Sequence, residues 1–423
     1  MNATADPRFA VPPCTRPFYP SWPHRIAFFL LGVAAAKVRF LTGPWRRYWR
    51  RTAPTRNCIV VLEPYGMGDI VALQPLVRAW CEAGREVVVG ARAEWHPLLV
   101  PHPKLVCIDL RPAWASTDET RKHRGWWCGP DGFLELAKTL APLAHGARGV
   151  DVRGDVRSVL LLYLAGCGRV ETLTRYFVAN DCRVFPLAAH RLPVDRTVER
   201  WRLNAVFARR DGLTLSPPSV AHLRKADSGT VCPNPPSLQA PMPHPVQEQT
   251  AKSSEGTPDL RIGLVPLTPW AGKRWAPESW HEVVQHLRQR GCSPVVLCGP
   301  NEKAEALQAI GDPDQNLALP VNEACDVRAW VEALSRCTAV VSVNTGAVHL
   351  AAALDLPLVV LEGSSRLPLW APYSNNARVI HHQDLPGGDP CHQAGEKAIT
   401  RSRKTMSLVT VAEVVQELVA ILK

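Results

Sequence analysis

Residues 337–354 constrain the fold of this chain more than any other stretch, because they join an apolar strand directly to a helix. The run from Cys337 to Val343 is rich in β-branched residues, which is typical of a strand covered on both faces of a parallel sheet. Thr345 and Gly346 form the turn that follows, and an Ala/Leu-rich helix begins there. Glycine lets the backbone approach a ligand closely, and the free N–H groups of a helix N-terminus attract anions. The turn therefore predicts a diphosphate site, although every doubly wound sheet contains turns of this kind.

Strands and helices alternate in two separate blocks of the chain. Short apolar segments alternate with helical patterns from residue 58 to residue 178, and a second alternation runs from Leu260 to an amphipathic helix at 411–422. This alternation is typical of parallel βαβ units. Since 423 residues are too many for a single core, we expect an α/β protein with two Rossmann-like parallel-sheet domains.

A proline-rich stretch separates the two blocks. Residues 217–258 hold nine prolines in 42 residues and show little apolar periodicity, so we predict an extended or disordered insert. The predicted organisation is an N-terminal segment at 1–56, an N-terminal acceptor domain at 57–216, the insert at 217–258, and a C-terminal donor domain at 259–423.

The positive charge of the chain is concentrated near its N-terminus. Eight basic residues and no acidic one lie between Arg25 and Arg56, within a net charge of +11 for the whole chain. They adjoin an apolar run at 26–36, which is too short to span a bilayer. The pattern predicts a helix lying on an anionic membrane surface. Packing of this helix on the protein and a cleaved signal peptide are the alternatives, and no motif for nucleic-acid binding accompanies the basic residues.

The cysteines favour a reducing compartment. There are thirteen, an odd number, and they form no Cys-x-x-Cys pair or Cys/His cluster with zinc spacing. Several of them lie in apolar strands, where a thiol behaves as a small hydrophobic group. We therefore predict reduced, inert thiols and a cytoplasmic location.

Five short stretches follow one another in an order that carries a family resemblance. They lie at residues 60–76, 151–158, 198–200, 262–280 and 342–373. Each alone is unspecific, but in this order they resemble the bacterial heptosyltransferase-type glycosyltransferases, the ADP-heptose:lipopolysaccharide heptosyltransferases of glycosyltransferase family nine. The resemblance extends over residues 57–420 apart from the insert. It implies the GT-B architecture, in which two Rossmann-like domains face each other across a cleft.

The resemblance implies an inverting glycosyl transfer in a single displacement, with one general base. Asp69, in the glycine-rich loop after the first strand, stands at the matching position and would accept the proton of the acceptor hydroxyl. From the local sequence alone, the favoured role of Asp69 is the cap of a helix that begins at Ile70, and the resemblance is what favours catalysis. Glu63 is a second carboxylate near this loop and the alternative base.

The resemblance also places a nucleoside-diphosphate sugar, of the ADP-heptose type, on the C-terminal half. A cation from Lys273, or alternatively Arg274, would neutralise the leaving diphosphate. Because cations and backbone donors can replace a metal, we predict no metal and no cofactor. The implied donor-binding residues are Thr268, Lys273, Arg274, Glu302, Asn344, Thr345, Gly346 and His349.

Asn344 is the point at which this chain departs from the family pattern. The commonest residue before Thr-Gly in the family is aspartate, which is thought to contact the sugar in the heptose enzymes. An amide can still form a hydrogen bond with a hydroxyl group, but it carries no negative charge. Glycosyl transfer is therefore implied more firmly than transfer of heptose.

On the acceptor side, the matching family positions are charged residues and one glycine. The four charged side chains fit two roles equally well, since they could face the cleft or form ion pairs inside the N-terminal domain. The acceptor-side residues are Gly68, Arg153, Asp155, Arg157 and Arg200.

Three functions fit the sequence. The leading hypothesis is an inverting, metal-independent glycosyltransferase that acts on a lipid-linked saccharide, such as the lipopolysaccharide core or another envelope glycan, at the inner face of the bacterial inner membrane. A non-catalytic protein that binds a nucleotide sugar or acts as a scaffold is the second, and Asn344 is its main support. A nucleotide-sugar epimerase is the third.

Overall fold

The computed structural model describes residues 57–115, 129, 131–173, 190–192, 199–224, 260–363, 370–382 and 396–423, together with seven residues between 26 and 37. Most of the predicted insert, residues 225–258, lies outside the described residues, as does most of the basic N-terminal stretch.

The N-terminal domain is built on a six-stranded parallel sheet. Its strand order, β3-β2-β1-β4-β5-β6, is that of a Rossmann sheet. The strands are β1 (Cys58–Leu62), β2 (Glu86–Ala91), β3 (Leu105–Asp109), β4 (Arg148–Asp151), β5 (Arg169–Leu173) and β6 (His190–Leu192). The helices are α1 (Met67–Glu82), α2 (Phe133–Ala144), α3 (Val156–Leu164), α4 (Arg200–Leu203) and α5 (Ala205–Arg210), with 3₁₀ turns at Ala93–Leu98, Ala113–Ala115 and Ala221–Leu223.

The C-terminal domain repeats this plan. Its second parallel sheet has the order β12-β11-β10-β7-β8-β9, which is the same topology read from the other edge. The strands are β7 (Arg261–Val265), β8 (Ser293–Cys298), β9 (Val321–Glu323), β10 (Ala339–Val343), β11 (Leu358–Glu362) and β12 (Ala377–His381). The helices are α6 (Pro277–Gln289), α7 (Lys303–Ile310), α8 (Val327–Ser335), α9 (Gly346–Ala353), α10 (Glu396–Met406) and α11 (Val411–Ile421), and a 3₁₀ turn lies at Ala271–Lys273.

The apolar runs of the sequence become the central strands of both sheets. All five residues of β1 and all five of β10 are buried. Helices pack on both faces of each sheet, so a strand in the middle has no polar face to present to water. The prediction of two Rossmann-like parallel-sheet domains is confirmed.

The predicted insert begins later in the chain than residue 217. Leu223 is buried in the core, and the amide of Val220 donates to the Ala353 carbonyl of the C-terminal domain at 3.4 Å. In the N-terminal domain, Gln74 Nε2 donates to the Ser219 carbonyl at 2.8 Å. The prediction of an unpacked segment is therefore wrong for residues 217–224, which bridge the two domains. The buried side chains of Val220 and Leu223 are enough to anchor residues 217–224. Two apolar residues among many prolines form no periodic pattern, so the sequence did not reveal this packing.

One face of the N-terminal helix packs on the N-terminal domain. Leu31 and Ala35 are buried in the same apolar cluster as Val60 and Leu62 of strand β1. Leu30 is 59% exposed and Ile26 is 42% exposed, so an apolar ridge one turn long faces outward. One face of this helix therefore packs on the protein, which was the alternative to a helix that only lies on a membrane. Within the described part of the chain, no helix combines the length and the apolar character needed to cross a membrane.

Candidate active site

The two sheets place their carboxyl edges toward each other. Ligands of open α/β sheets bind at this edge, at the point where the strand order reverses. That point lies between β1 and β4 in one domain and between β7 and β10 in the other. Helices α1 and α9, which begin at these two points, pack directly against each other.

Two glycines allow the N-termini of α1 and α9 to approach closely. A Cβ atom on Gly68 would lie 2.5 Å from Cδ2 of His349, and a Cβ atom on Gly346 would lie 2.8 Å from Cε of Met67. Both distances are shorter than carbon atoms tolerate, although the terminal methyl group of Met67 can move aside more easily than the His349 ring. Gly68 therefore permits the contact between domains, and His349 is the side chain from the donor domain that occupies the space.

Asp69 lies at this contact, with its two oxygens in different roles. Oδ2 accepts a hydrogen bond from the amide of Gly66, the N-cap of α1, at 3.3 Å. Oδ1 forms an ion pair with Nη2 of Arg153, and Nε of Arg200 lies 3.9 Å from it. The helix begins at Met67 and not at Ile70, so the prediction that Asp69 is its N-cap is wrong. Asp69 is the third residue of the helix, where one oxygen binds the amide of the N-cap residue while the other faces two guanidinium groups.

Glu63 holds those two guanidinium groups in place. It is fully buried, and its two oxygens accept hydrogen bonds from Arg153 Nε at 2.8 Å and Arg200 Nη2 at 2.9 Å. With both oxygens used and no exposed surface, Glu63 is poorly placed to act as the alternative base. It orients the arginines around Asp69.

The pKa values of the two carboxyls shift in opposite directions, although the shared arginines lower both. Burial is the largest effect on Glu63 and raises its pKa above the usual value, against the charges of Arg153 and Arg200. Burial alone would also raise the pKa of Asp69, but the same two charges outweigh it and the net shift is downward. Asp69 is therefore held as a carboxylate, the form that can accept a proton.

A second layer of polar groups fixes the turn that carries Arg153. Asp151 accepts hydrogen bonds from the amides of Arg153 at 3.2 Å and Asp155 at 2.8 Å, and burial raises its pKa to about 7. Asp155 pairs with Arg157 and accepts from the Tyr65 hydroxyl at 2.8 Å. Of the four acceptor-side charges, Arg153 and Arg200 reach Asp69, whereas Asp155 and Arg157 pair with each other behind it.

Tyr65 belongs to this site, although the sequence did not single it out. The guanidinium of Arg153 lies 4.0 Å from the centre of its ring. A tyrosine within a Gly-rich loop at the end of a buried strand was the signal that could have identified it. Tyr65 positions Arg153 by a cation–π contact.

On the donor side, His349 is influenced by both Asp69 and Lys273. Burial is the main cause that lowers the pKa of His349 to about 4; the charge of Lys273 lowers it further and that of Asp69 raises it. At neutral pH the imidazole is uncharged and can donate one hydrogen bond. These electrostatic effects show that Asp69, His349 and Lys273, three residues named from the resemblance, lie near one another.

The remaining donor-side residues lie in the loops that follow β7, β8 and β10. Thr268 is buried after β7, and its carbonyl accepts from Arg274 at 3.4 Å. Arg274 also forms an ion pair with Glu305 at 2.6 Å, so its guanidinium is directed to α7. Glu302 accepts from the amide of Gly299 at 2.7 Å, which fixes its carboxylate at the end of β8.

Asn344 and Thr345 follow β10 at the N-terminus of α9. Thr345 is the N-cap residue, yet its hydroxyl does not cap the helix. The side-chain amide of Asn344 donates to the carboxylate of Glu362 and, at 3.4 Å, to the Trp370 carbonyl. Sequence analysis missed Glu362, although a carboxylate that ends the apolar strand Leu358–Glu362 was a visible signal.

Part of the chain is similar in sequence to a known family. Residues 233–395 match the model of glycosyltransferase family 9 (heptosyltransferase). Over 170 residues, the chain is 30% identical to lipopolysaccharide heptosyltransferase 1 of Pseudomonas aeruginosa, covering 39% of this chain and 45% of that protein. Over 124 residues, it is 33% identical to lipopolysaccharide heptosyltransferase 2 of Salmonella typhimurium, covering 28% of this chain and 35% of that protein. The matches span less than half of either relative, and they confirm the resemblance found in the sequence motifs.

Solved structures extend the likeness over most of the chain. Escherichia coli heptosyltransferase WaaC with ADP superposes with a TM-score of 0.60 at 15% identity, covering 86% of this chain and 99% of that one. A family 9 glycosyl transferase from Veillonella parvula gives 0.59 at 15% identity, covering 88% and 98%. At such identities the likeness concerns the fold, and it confirms the GT-B architecture.

Proposed function

We propose that this chain, which carries a glycosyltransferase family 9 (heptosyltransferase) domain, is an inverting glycosyltransferase. It would transfer a sugar from a nucleoside diphosphate to a lipopolysaccharide core or another envelope glycan, with heptose as the first sugar to test. The observation that carries the proposal is the position of Asp69, an ionised carboxylate in the N-terminal domain that faces the α9 N-terminus of the donor domain.

The acceptor hydroxyl would lose its proton to Asp69. Its oxygen attacks the anomeric carbon from the face opposite the diphosphate, and the new glycosidic bond forms as the bond to the phosphate oxygen breaks. The electron pair of that bond leaves with the nucleoside diphosphate. Because there is one displacement, the anomeric configuration inverts. Arg153 and Arg200 keep Asp69 ionised before the reaction, and Glu63 keeps both arginines in place.

The leaving diphosphate needs positive charge and hydrogen-bond donors. Lys273 would supply the charge, and the first amides of α9, from Gly346 onward, would supply donors at the positive end of the helix dipole. Neutral His349 would add one N–H group from the same helix. In this proposal these groups replace a metal ion, and the donor is a nucleoside-diphosphate sugar of the ADP-heptose type.

A panel of nucleotide sugars tests the proposed function. Purified protein is incubated with each nucleotide sugar and a lipopolysaccharide-core acceptor, with and without a strong chelator, and the products are identified by mass spectrometry. Glycosylated acceptor with the inverted linkage, formed equally well with chelator, is the expected result. Binding without turnover would instead indicate a scaffold protein, and conversion of the nucleotide sugar without acceptor would indicate an epimerase.

We further propose that the N-terminal segment holds the protein on the anionic cytoplasmic face of the inner membrane. The outward ridge formed by Ile26 and Leu30 supplies apolar area, and the eight basic residues between Arg25 and Arg56 supply attraction to acidic lipids. Leu31 and Ala35, on the packed face, would anchor this helix to the enzyme.

Salt and lipid charge should control this membrane binding. The intact protein is expected to sediment with anionic vesicles at low ionic strength and to be released near 1 M salt, where the Debye length falls to about 3 Å. The double substitution Ile26→Ser/Leu30→Ser should weaken binding, whereas Arg336→Gln, a charge change at an exposed ion pair elsewhere, should not. Equal binding to neutral and anionic vesicles, or none to either, would contradict this proposal.

A further inference from the structure

We infer that Ser402, on helix α10, is a positioning residue that holds Lys273 in place for the leaving diphosphate, an inference that rests on the proposed role of Lys273. The loop that carries Lys273 follows strand β7, whereas α10 lies near the C-terminus of the chain. Helix α10 nevertheless packs directly against the 3₁₀ turn Ala271–Lys273. A distant part of the chain therefore supports this loop.

The hydroxyl group of Ser402 makes a polar contact with this turn. Its Oγ donates to the carbonyl of Gly272, the residue before Lys273, at 2.7 Å, and Ser402 has no exposed surface. Gly272 is buried as well, so its carbonyl cannot turn to water if the hydroxyl is removed. The hydrogen bond therefore fixes the peptide group that leads into Lys273.

Gly272 allows the helix to come this close. A Cβ atom on Gly272 would lie 2.9 Å from Cβ of Ser402, and the backbone fixes both positions, so neither atom could move aside. Helix α10 also approaches the end of β11, where a Cβ atom on Gly363 would lie 2.7 Å from Cγ of Met406. Met406 is buried in an apolar cluster of the donor domain. The helix is therefore anchored in that core and gives the loop a firm support.

A second hydrogen bond holds the other side of Lys273. The indole Nε1 of Trp275 donates to the carbonyl of Val409, three residues after α10, at 3.0 Å, and both residues are buried. Lys273 thus lies between Gly272 and Trp275, which both bind the same C-terminal segment. A loop that is ordered before its ligand arrives loses less conformational freedom on binding. Lys273 should therefore bind a diphosphate more tightly than the same lysine on an unsupported loop.

ADP binding by variants of the two hydrogen-bond donors tests the inference. Ser402→Ala removes the hydroxyl, and we expect the Kd for ADP, measured by calorimetry, to rise about three- to tenfold, the range of one neutral hydrogen bond. Trp275→Phe keeps an aromatic ring beside Trp280 but removes the N–H group, and should raise the Kd by a similar factor. Thr338→Val is the matched control, because it removes a hydroxyl group at the opposite edge of the same sheet and should leave the Kd within about twofold.

A double-mutant cycle separates positioning from a general effect on stability. If Ser402 acts through Lys273, its hydroxyl has nothing to position once the lysine side chain is gone. The double variant Lys273→Ala/Ser402→Ala should therefore bind ADP within about twofold of Lys273→Ala alone. A Ser402 that only stabilises the domain would instead give two losses that multiply. If Ser402→Ala does not fold, Trp275→Phe and its combination with Lys273→Ala provide the same cycle.

Two results overturn the inference. One is a Kd for ADP within twofold of the original protein in both Ser402→Ala and Trp275→Phe; the other is a double variant in which the separate losses multiply. A failure of the proposed donor site is distinguishable from both, since Lys273→Ala would then leave ADP affinity unchanged.

Discussion

Replacing Asp69 by asparagine should lower kcat by about 100-fold or more while leaving ADP affinity within about twofold. The amide has the shape of the carboxylate but cannot take the proton of the acceptor hydroxyl. Single-turnover kinetics with saturating donor measure the chemical step directly. Turnover within a few-fold of the original protein would remove Asp69 from the mechanism.

A control is needed because the substitution also disturbs the charge balance. Asp69→Asn leaves Arg153 and Arg200 with Glu63 as their remaining carboxylate partner in this cluster, so some loss of stability is expected. Asp326→Asn is the matched control, since Asp326 accepts from an amide at the start of α8 but lies outside the site. Comparing melting temperatures of the two variants separates the structural cost from the loss of catalysis.

The pH dependence of kcat should distinguish Asp69 from Asp151, a second buried carboxyl nearby. The pKa of Asp69 lies below its usual 3.8, so its carboxylate, and the stability from its ion pairs, should be lost only as pH falls through that lowered value. Asp151 has a pKa of about 7 because it is buried, so it should bind a proton as pH falls below neutrality. A change in kcat near pH 7 would therefore be assigned to Asp151 and not to the base.

Replacing Lys273 by alanine should weaken ADP binding by about 1.5 to 3 kcal/mol, or roughly 10- to 150-fold. The ammonium group is the cation expected to meet the diphosphate at the N-terminus of α9. Calorimetric titration with ADP measures the loss. Lys138→Ala, which removes an exposed lysine paired with Glu135 in the other domain, is the control.

The same variant has a second, independent consequence at His349. Lys273 contributes to the low pKa of His349, although burial contributes more. Removing the lysine should therefore raise that pKa from about 4, which NMR titration of the imidazole can follow. Unchanged ADP affinity together with an unchanged His349 titration would mean that the Lys273 loop is structural.

The elements of this fold follow from local sequence patterns. Apolar strands such as Cys58–Leu62 and Ala339–Val343 can be recognised because burial on both faces of a parallel sheet demands uninterrupted apolar residues. The turn at Thr345 and Gly346 is recognisable for a similar reason, since a tight strand-to-helix junction tolerates few residue types. The order of the family motifs then indicated Asp69 as the candidate base and Lys273 as the candidate cation.

The partners of the charged residues depend on the tertiary structure. Glu63, Arg153 and Arg200 are separated by more than a hundred positions between the first and the last, yet one carboxylate binds both guanidinium groups. From the sequence, Arg153 and Arg200 could either face the cleft or form ion pairs inside the N-terminal domain. In the structure they form ion pairs with Asp69, the proposed base.

Residues 217–224 and the Asn344–Glu362 pair show the same limit. A sequence pattern records how each residue is buried relative to its neighbours in the chain, so it reveals strands and helices. Which strand ends meet is decided by the strand order of the sheets and by the packing of one domain on the other. The helices and strands of this protein could therefore be predicted from the sequence alone. The ion pairs of Asp69 and the hydrogen bond of Asn344 form only because the fold brings distant strand ends to the same edge.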